Sequence, residues 1–118
     1  MLRGRRGAIC AAHPLAVAAG QEMLGAGGTA ADAAIAAQAI LCVVMPNNCG
    51  LGGDMLALVH RPGSEPWGLN GAGAAPARLE RVTDDGAHSI TVPGLVDGWC
   101  VLSQREGRLP LSRVLGWW

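Results

Sequence analysis

The first half of the chain carries apolar residues at helical spacing in two stretches, which a pair of glycines separates. Pro14 stands at what would be the first position of a helix, where its lack of an amide hydrogen leaves no bond unmade. Leu15, Ala19 and Met23 then fall on one helical face. Because glycine is common just beyond helix ends, Gly27–Gly28 predicts the end of this first helix.

The second helical stretch is residues 30–45, AADAAIAAQAILCVVM. Thr29 precedes it at the N-cap position, and Asp32 completes a pattern that resembles a capping box. Pro46 predicts its end, since proline has no backbone donor. The stretch is apolar nearly all round and should pack on several sides. Its length of about 16 residues is below the roughly 20 that span a bilayer, which favours a buried helix.

Short apolar runs predict strands. Residues 7–12, GAICAA, and residues 55–61, MLALVHR, are both expected to form buried strands. A turn over residues 62–66 and the run WGLN at residues 67–70 predict a hairpin with the second of these strands. Residues 71–79, GAGAAPARL, are expected to form a loop.

The later part of the chain predicts one short extended piece and a third helix. The extended piece is expected at Ser89–Val92, within a turn-rich region. Leu95, Trp99 and Leu102 lie on one helical stripe, and Gly107 follows the last charges of that segment. A third helix that ends before Gly107 is therefore predicted.

The chain ends on LPLSRVLGWW, which begins what resembles another helix and stops at two adjacent tryptophans. A finished domain rarely closes on two large aromatic side chains with nothing to cover them. We therefore expect residues 1–118 to be one segment of a larger structure.

Composition narrows the function classes. Nine arginines balance nine acidic residues, and there is no lysine. This balance argues against a nucleic-acid surface or an anionic-membrane surface. Arg3, Arg5 and Arg6 precede an apolar run, which resembles a secretory signal, but His13 and Pro14 interrupt that run. The expected location is cytoplasmic.

The four cysteines form no C-x-x-C pair, and buried free thiols are the favoured interpretation. Cys10 and His13 have C-x-x-H spacing, so a metal site that they share with Cys49 is a weak alternative. No metal or cofactor is expected.

Several ordered motifs together resemble the gamma-glutamyltransferase family, whose members are threonine-nucleophile N-terminal-nucleophile hydrolases. The resemblance extends over residues 7–115 and is carried by AAHPLAVAAGQEMLGAGGTAADAAIAA, VVMPNNCGLGGDMLALV, LNGAGAAPARL and SITVPGLVDGWCVLSQREGRLPLSRVL. Within the family, GLGGD and LNGAG resemble the amidohydrolase-like branch that includes oxamate-amidohydrolase-type proteins.

The resemblance implies an α/β (α+β) fold, specifically part of an alpha-beta-beta-alpha sandwich. It also implies a precursor that cuts itself into a large and a small subunit. The N-terminal threonine of the small subunit is then the nucleophile, its own amine is the base, and no cofactor is needed. Thr29, Thr83 and Thr91 are all internal, and none lies in the family's cleavage sequence. The chain therefore matches only the beginning of the large subunit, and no catalytic residue is assigned.

Substrate recognition also departs from the family pattern. Glutathione-type members place an arginine at the position of Ala72, where it pairs with the substrate's α-carboxylate. In the amidohydrolase-like pattern an arginine falls at the position of Ala74. Arg78 is near in sequence, but nearness alone does not assign it a role. No substrate-binding residue carries over.

The glycine loop NNCGLGGDM, residues 47–55, follows a helix and precedes a strand, which is the wrong context for a dinucleotide fingerprint. We favour a structural turn, in which Gly50, Gly52 and Gly53 provide positive φ angles and close backbone contact, over a ligand nest. Asp54 is expected to bond loop amides.

Two functional hypotheses remain. The first is an N-terminal fragment of a gamma-glutamyltransferase-like enzyme that is inactive without the rest of the large subunit and the small subunit. The second is a standalone interaction or assembly module of the same ancestry.

Overall fold

The computed structural model of the protein describes residues 7–116. Within that range the chain contains four α-helices and two strands, which in chain order are α1 (Pro14–Gly25), α2 (Ala30–Val44), β1 (Met55–Val59), β2 (Trp67–Gly71), α3 (Leu95–Glu106) and α4 (Leu111–Val114). A 3-10 helix, Ala87–Ser89, lies between β2 and α3. The expectations placed on Arg3, Arg5, Arg6 and the two terminal tryptophans lie outside the described residues.

The chain divides into two compact units. The first combines the chain up to Gly50 with the chain from Trp99 onward, and the second is Leu51–Gly98. The first unit holds α1, α2 and α4, and the second holds the hairpin of β1 and β2. The described helices are all too short or too polar to cross a membrane.

The helix ends form as the sequence predicts. Pro14 occupies the first turn of α1, and Gly27, with φ +85°, follows its last turn. The capping box of α2 is present in both directions, since Thr29 and Asp32 each accept a hydrogen bond from the other's backbone N–H. His13 adds a contact that the sequence did not reveal, because its Nδ1 accepts the N–H of Leu15 at 3.2 Å.

Small residues let α1 and α2 pack closely. Ala16 and Ala19 of α1 and Ile35 of α2 are fully buried. At Gly20 a Cβ atom would lie 3.1 Å from the carbonyl oxygen of Ala33, which is too close for an ordinary contact. The contact between α1 and α2 therefore depends on backbones that approach each other closely.

Helix α3 carries the predicted apolar stripe. Leu95, Trp99 and Leu102 are each only 2% exposed. The indole N–H of Trp99 donates to Oε1 of Gln38 at 2.9 Å, so the largest buried side chain has its polar atom bonded to α2. This bond gives Gln38 a structural role in a helix whose other residues, apart from Asp32, are apolar.

The predicted hairpin is confirmed, although its burial is not. β1 and β2 pair antiparallel, with Met55 opposite Gly71 and Val59 opposite Trp67. The prediction of a buried β1 is wrong, since Leu56 is 75% exposed and Leu58 is 80% exposed. Alternate residues of a strand point to opposite faces, and only the face that carries Met55 is covered within the described chain.

Two other predicted extended segments are not strands. Residues 7–12 form neither helix nor strand, and Ile9 instead packs against Gly20. The extended piece predicted at Ser89–Val92 is confirmed in part: a 3-10 turn ends on Ser89, and Ile90 has extended backbone angles, φ −99° and ψ 125°, without strand pairing. A strand needs a partner that continues its hydrogen-bonded ladder, and an apolar run in the sequence does not reveal whether that partner exists.

Asp32 connects the start of α2 to the segment between α3 and α4. Its carboxylate is fully buried and accepts the N–H groups of Thr29 at 2.8 Å, Arg108 at 3.0 Å and Leu109 at 3.3 Å. The Thr29 hydroxyl donates to the same carboxylate at 3.2 Å. A Cβ at Gly28 or Gly107 would lie 3.1 Å or 2.9 Å from its oxygens, so glycine leaves room for these bonds.

We predict that Asp32→Ala destabilises the folded chain by about 2–4 kcal/mol, because buried backbone donors lose their acceptor. Asp32→Asn should cause a smaller loss, since an amide oxygen can still accept. The measurement is the free energy of unfolding from denaturant titration of the 118-residue chain.

The matched control is Asp84→Ala, which removes an exposed carboxylate from a loop and should change stability by less than about 0.5 kcal/mol. Equal stability of the Asp32→Ala and Asp84→Ala variants would contradict the importance of the buried carboxylate.

Candidate functional site

The glycine loop between α2 and β1 bends without the backbone angles predicted for it. Among residues 7–116, positive φ is found at Gly7, Gly27, Gly63 and Gly86, and at none of the glycines of this loop. A Cβ at Gly50 or Gly52 would meet nothing within 4 Å. The predicted positive φ is therefore wrong for all three glycines, and the predicted close contact is wrong at Gly50 and Gly52. The αR–αL form of a ligand nest is also not present.

Backbone hydrogen bonds account for the bend instead. The N–H groups of Asn48 and Cys49 both donate to the carbonyl of Met45, at 2.9 and 3.0 Å, and reverse the chain directly after α2. Farther along, the carbonyl of Gly53 accepts the N–H groups of Gly94 and Leu95 at 3.1 and 2.9 Å. Those donors open α3, so Gly53 satisfies amides that a helix leaves unbonded at its start.

Asp54 is an anchor for the loop that follows β2. Its carboxylate accepts the backbone N–H of Gly73 at 2.9 Å and the hydroxyl of Thr91 at 3.2 Å. The expectation that Asp54 bonds loop amides is confirmed. The sequence did not identify Gly73 and Thr91 as its partners, because they lie 19 and 37 residues away.

Backbone contact between residues 71–74 and 92–94 completes this anchor. The N–H of Val92 donates to the carbonyl of Ala74 at 3.2 Å. A Cβ at Gly73 would overlap the backbone of Val92, and one at Gly94 would overlap the backbone of Gly71. Only glycine fits at these two positions without a backbone shift. We call residues 74–92 the anchored loop, since both its ends are held.

No cationic side chain stands at the positions where the resemblance places a carboxylate-binding arginine. Those positions are Ala72 and Ala74. The N–H of Ala72 donates to Oδ1 of Asn70 at 3.0 Å, which closes a local turn after β2. These residues form backbone structure and provide no charge-assisted contact.

The anchored loop instead carries two arginines around an open groove of about 540 Å³. We call this the basic groove, and it is lined by Pro76, Arg78, Leu79, Glu80, Arg81, Thr83 and His88. Sequence reasoning singled out Arg78 but had no ground to group it with Arg81 and His88. The turn of Ala87–Ser89 brings the histidine to the groove.

The hydroxyls of all three threonines are engaged in structural hydrogen bonds. Thr29 caps α2, the Thr83 hydroxyl donates to the carbonyl of Asp85 at 2.7 Å, and Thr91 bonds Asp54. None of the three has a free α-amine of its own, because each lies inside the chain. The described residues therefore hold no nucleophile of the kind that the resemblance implies.

The cysteines are free, as predicted, but they are not buried. Cys10 is exposed, and Cys42, Cys49 and Cys100 are partly exposed. Burial raises the pKa of the Cys42 thiol, and the nearby Cys49 raises it further. No three His, Cys, Asp or Glu side chains in residues 7–116 are grouped as metal ligands, so the alternative metal site on Cys10, His13 and Cys49 is wrong.

Comparison with known proteins identifies related sequences. A family model described as Gamma-glutamyltranspeptidase matches residues 16–117. The glutathione hydrolase-like YwrD proenzyme of Bacillus subtilis is 37% identical over 122 residues, a match that covers 95% of this chain and 23% of the relative. The acylase ACY 1 proenzyme of a Pseudomonas species is 34% identical, with coverages of 95% and 24%. The chain thus spans about a quarter of these relatives' length.

Solved structures confirm the fold. The crystal structure of Helicobacter pylori gamma-glutamyltranspeptidase superposes with a TM-score of 0.88 at 29% identity, covering 98% of this chain and 37% of that chain. The mixed helices and strands therefore form part of the N-terminal-nucleophile hydrolase fold, as the sequence predicts.

We predict that Gly73→Ala loosens the hairpin, because the added methyl group must displace the backbone of Val92. The expected cost is above about 2 kcal/mol, measured as faster amide hydrogen exchange in Met55–Val59. Gly52→Ala is the control, since its methyl group enters open space and should change exchange by less than about 1 kcal/mol. Equal exchange in both variants would refute the proposed backbone contact.

We also predict that Cys42 reacts more slowly with iodoacetamide at pH 8 than the exposed Cys10. A raised pKa leaves less thiolate, so the Cys42 rate should continue to rise at pH values above the ordinary thiol range. Cys49→Ala should increase the rate, because it removes the neighbouring thiolate that disfavours a second negative charge. Peptide mass spectrometry gives each rate, and similar rates in the folded chain would argue against this order.

Proposed function

Because the chain belongs to the gamma-glutamyltranspeptidase family, we propose that it is the N-terminal part of the large subunit of an amide hydrolase or acyltransferase of that family. In this role the chain supplies scaffold, and the reacting threonine belongs to the small subunit. The match over residues 16–117 with a family model is the observation that carries the proposal.

Coverage of the relatives supports a scaffold role. The segment covers 23% and 24% of the length of two relatives whose names describe proenzymes. It covers 37% of the Helicobacter pylori chain. The segment's own bonds are of the kind that hold a framework: a buried carboxylate that joins three backbone amides, and an anchored loop closed by backbone contact.

The engagement of the threonines supports an inactive isolated chain. An N-terminal threonine acts through a free hydroxyl beside its own amine. Thr29, Thr83 and Thr91 each use their hydroxyl within the local structure and have no free α-amine. We therefore propose that the remainder of the large subunit and the small subunit are required partners, in the cytoplasm.

For the substrate we propose a small amide. Acylases and glutathione hydrolases are both among the named relatives, and both names describe attack on an acyl or amide group. Ala72 leaves this segment without the arginine that would select an α-carboxylate. Ala74 likewise lacks the arginine of the amidohydrolase-like pattern, so we propose a substrate whose carboxylate, if it has one, is not bound by an arginine at either position.

The alternative is a non-catalytic assembly module of the same ancestry. The exposed Leu56 and Leu58 support it, because an apolar strand face of this kind is suited to cover by another protein surface. The same face also fits the favoured proposal, so an experiment on function is needed to separate the two.

The test is a chimera in which residues 7–115 replace the matching segment of the Bacillus subtilis proenzyme. We expect the chimera to cut itself into two subunits, because the segment supplies scaffold. Its hydrolysis of a γ-glutamyl anilide should fall at least about tenfold below the parent rate, because Ala72 leaves the substrate's α-carboxylate without a charged hydrogen bond from this segment. Gel electrophoresis and anilide release are the measurements.

Two controls accompany the chimera. Asp32→Ala within it should reduce processing, and the isolated 118-residue chain should show no hydrolysis above the buffer blank. A chimera that is soluble and melts cooperatively, yet remains unprocessed and inactive, would favour the assembly module. Turnover by the isolated chain that a single internal substitution abolishes would contradict the proposed division of labour.

A further inference from the structure

We propose that the basic groove binds a small organic acid, whose carboxylate groups contact the arginines of the groove. This site is separate from the nucleophile chemistry proposed above and does not depend on it. The proposal rests on three features of the anchored loop: guanidinium groups without a partner among residues 7–116, a concave shape, and ends that are held in place.

The charge of the groove is the first feature. Arg78 and Arg81 bring two positive charges and Glu80 one negative charge, so these three side chains together carry a net charge of +1. Among residues 7–116, no hydrogen bond or ion pair occupies these two guanidinium groups. Guanidinium groups match carboxylates with two parallel hydrogen bonds, so a carboxylate is a fitting ligand for this pair.

The shape of the groove is the second feature. A volume of about 540 Å³ lies within the range of small-molecule sites in proteins. Leu79 is partly buried and, with Pro76, gives the groove an apolar portion beside its charged groups. A carbon chain can lie on this portion while its acid groups reach the arginines, which favours an organic acid over an inorganic anion.

The anchoring of the loop is the third feature. Asp54 bonds residues 73 and 91, and Val92 bonds the carbonyl of Ala74, so both loop ends are fixed to the hairpin side of the second unit. Within the loop, the amide of Leu79 donates to the carbonyl of Pro76 at 3.0 Å, and the Thr83 hydroxyl is bonded to Asp85. These bonds restrict the loop before a ligand binds. Binding therefore costs less of the loop's conformational entropy.

The experiment titrates the 118-residue chain with succinate, glutarate and inorganic phosphate, and follows backbone amide shifts by NMR. We expect saturable shifts confined to residues 76–88 with the organic acids, and weaker binding as NaCl is added. The double variant Arg78→Gln/Arg81→Gln should bind at least roughly tenfold more weakly, since each charged hydrogen bond contributes about that factor or more.

Arg113→Gln is the matched control, because it removes an exposed arginine of α4 that is outside the groove. It should leave the affinity unchanged, and the amide spectra of all variants should retain the dispersion of the folded chain. Shifts that do not saturate, or an equal loss of affinity in Arg113→Gln, would overturn the proposal. Phosphate binding as tight as that of both organic acids would overturn it as well, because the apolar portion would then have no role.

Discussion

The first unit depends on one buried carboxylate. Asp32 serves as a helix cap in its own turn and as an acceptor for the amides of Arg108 and Leu109, which lie 76 and 77 residues farther along the chain. A lone buried charge is costly, and this one is tolerated because backbone donors surround it. The guanidinium of Arg108 also donates a hydrogen bond to the carbonyl of Gly27 at 2.9 Å. The start of α2 and the link between α3 and α4 are thereby one connected element.

The second unit is held together differently, by an exposed carboxylate and by close backbone contact at glycines. Asp54 is exposed and accepts one backbone N–H and one hydroxyl, so it contributes less to stability than Asp32 on its own. Glycines compensate, because their missing side chains let the backbones near Gly73 and Gly94 touch directly. The result is a loop with fixed ends and a polar middle, an arrangement suited to present charged groups to a ligand.

The parts of this structure that were predictable from sequence are those with local signals. Helix spacing, the capping box at Thr29 and the turn between β1 and β2 all arise from residues within a few positions of one another. The strand predicted for residues 7–12 is absent, because a strand is defined by a partner that no local signal specifies. The basic groove was not foreseen for the same reason, since Arg78 and His88 are brought together by bonds at the distant loop ends.

The hairpin has a consequence for how the chain behaves in solution. Within the described residues β1 and β2 each pair on one side only, which leaves two open edges. Leu56 and Leu58 add an apolar surface beside an edge, and neither proline nor lysine guards either strand. Open apolar edges are templates for pairing with another chain. Concentrated samples should therefore aggregate through strand pairing. A lysine in place of Leu56 or Leu58 should reduce this aggregation, because a charge disfavours pairing at the edge.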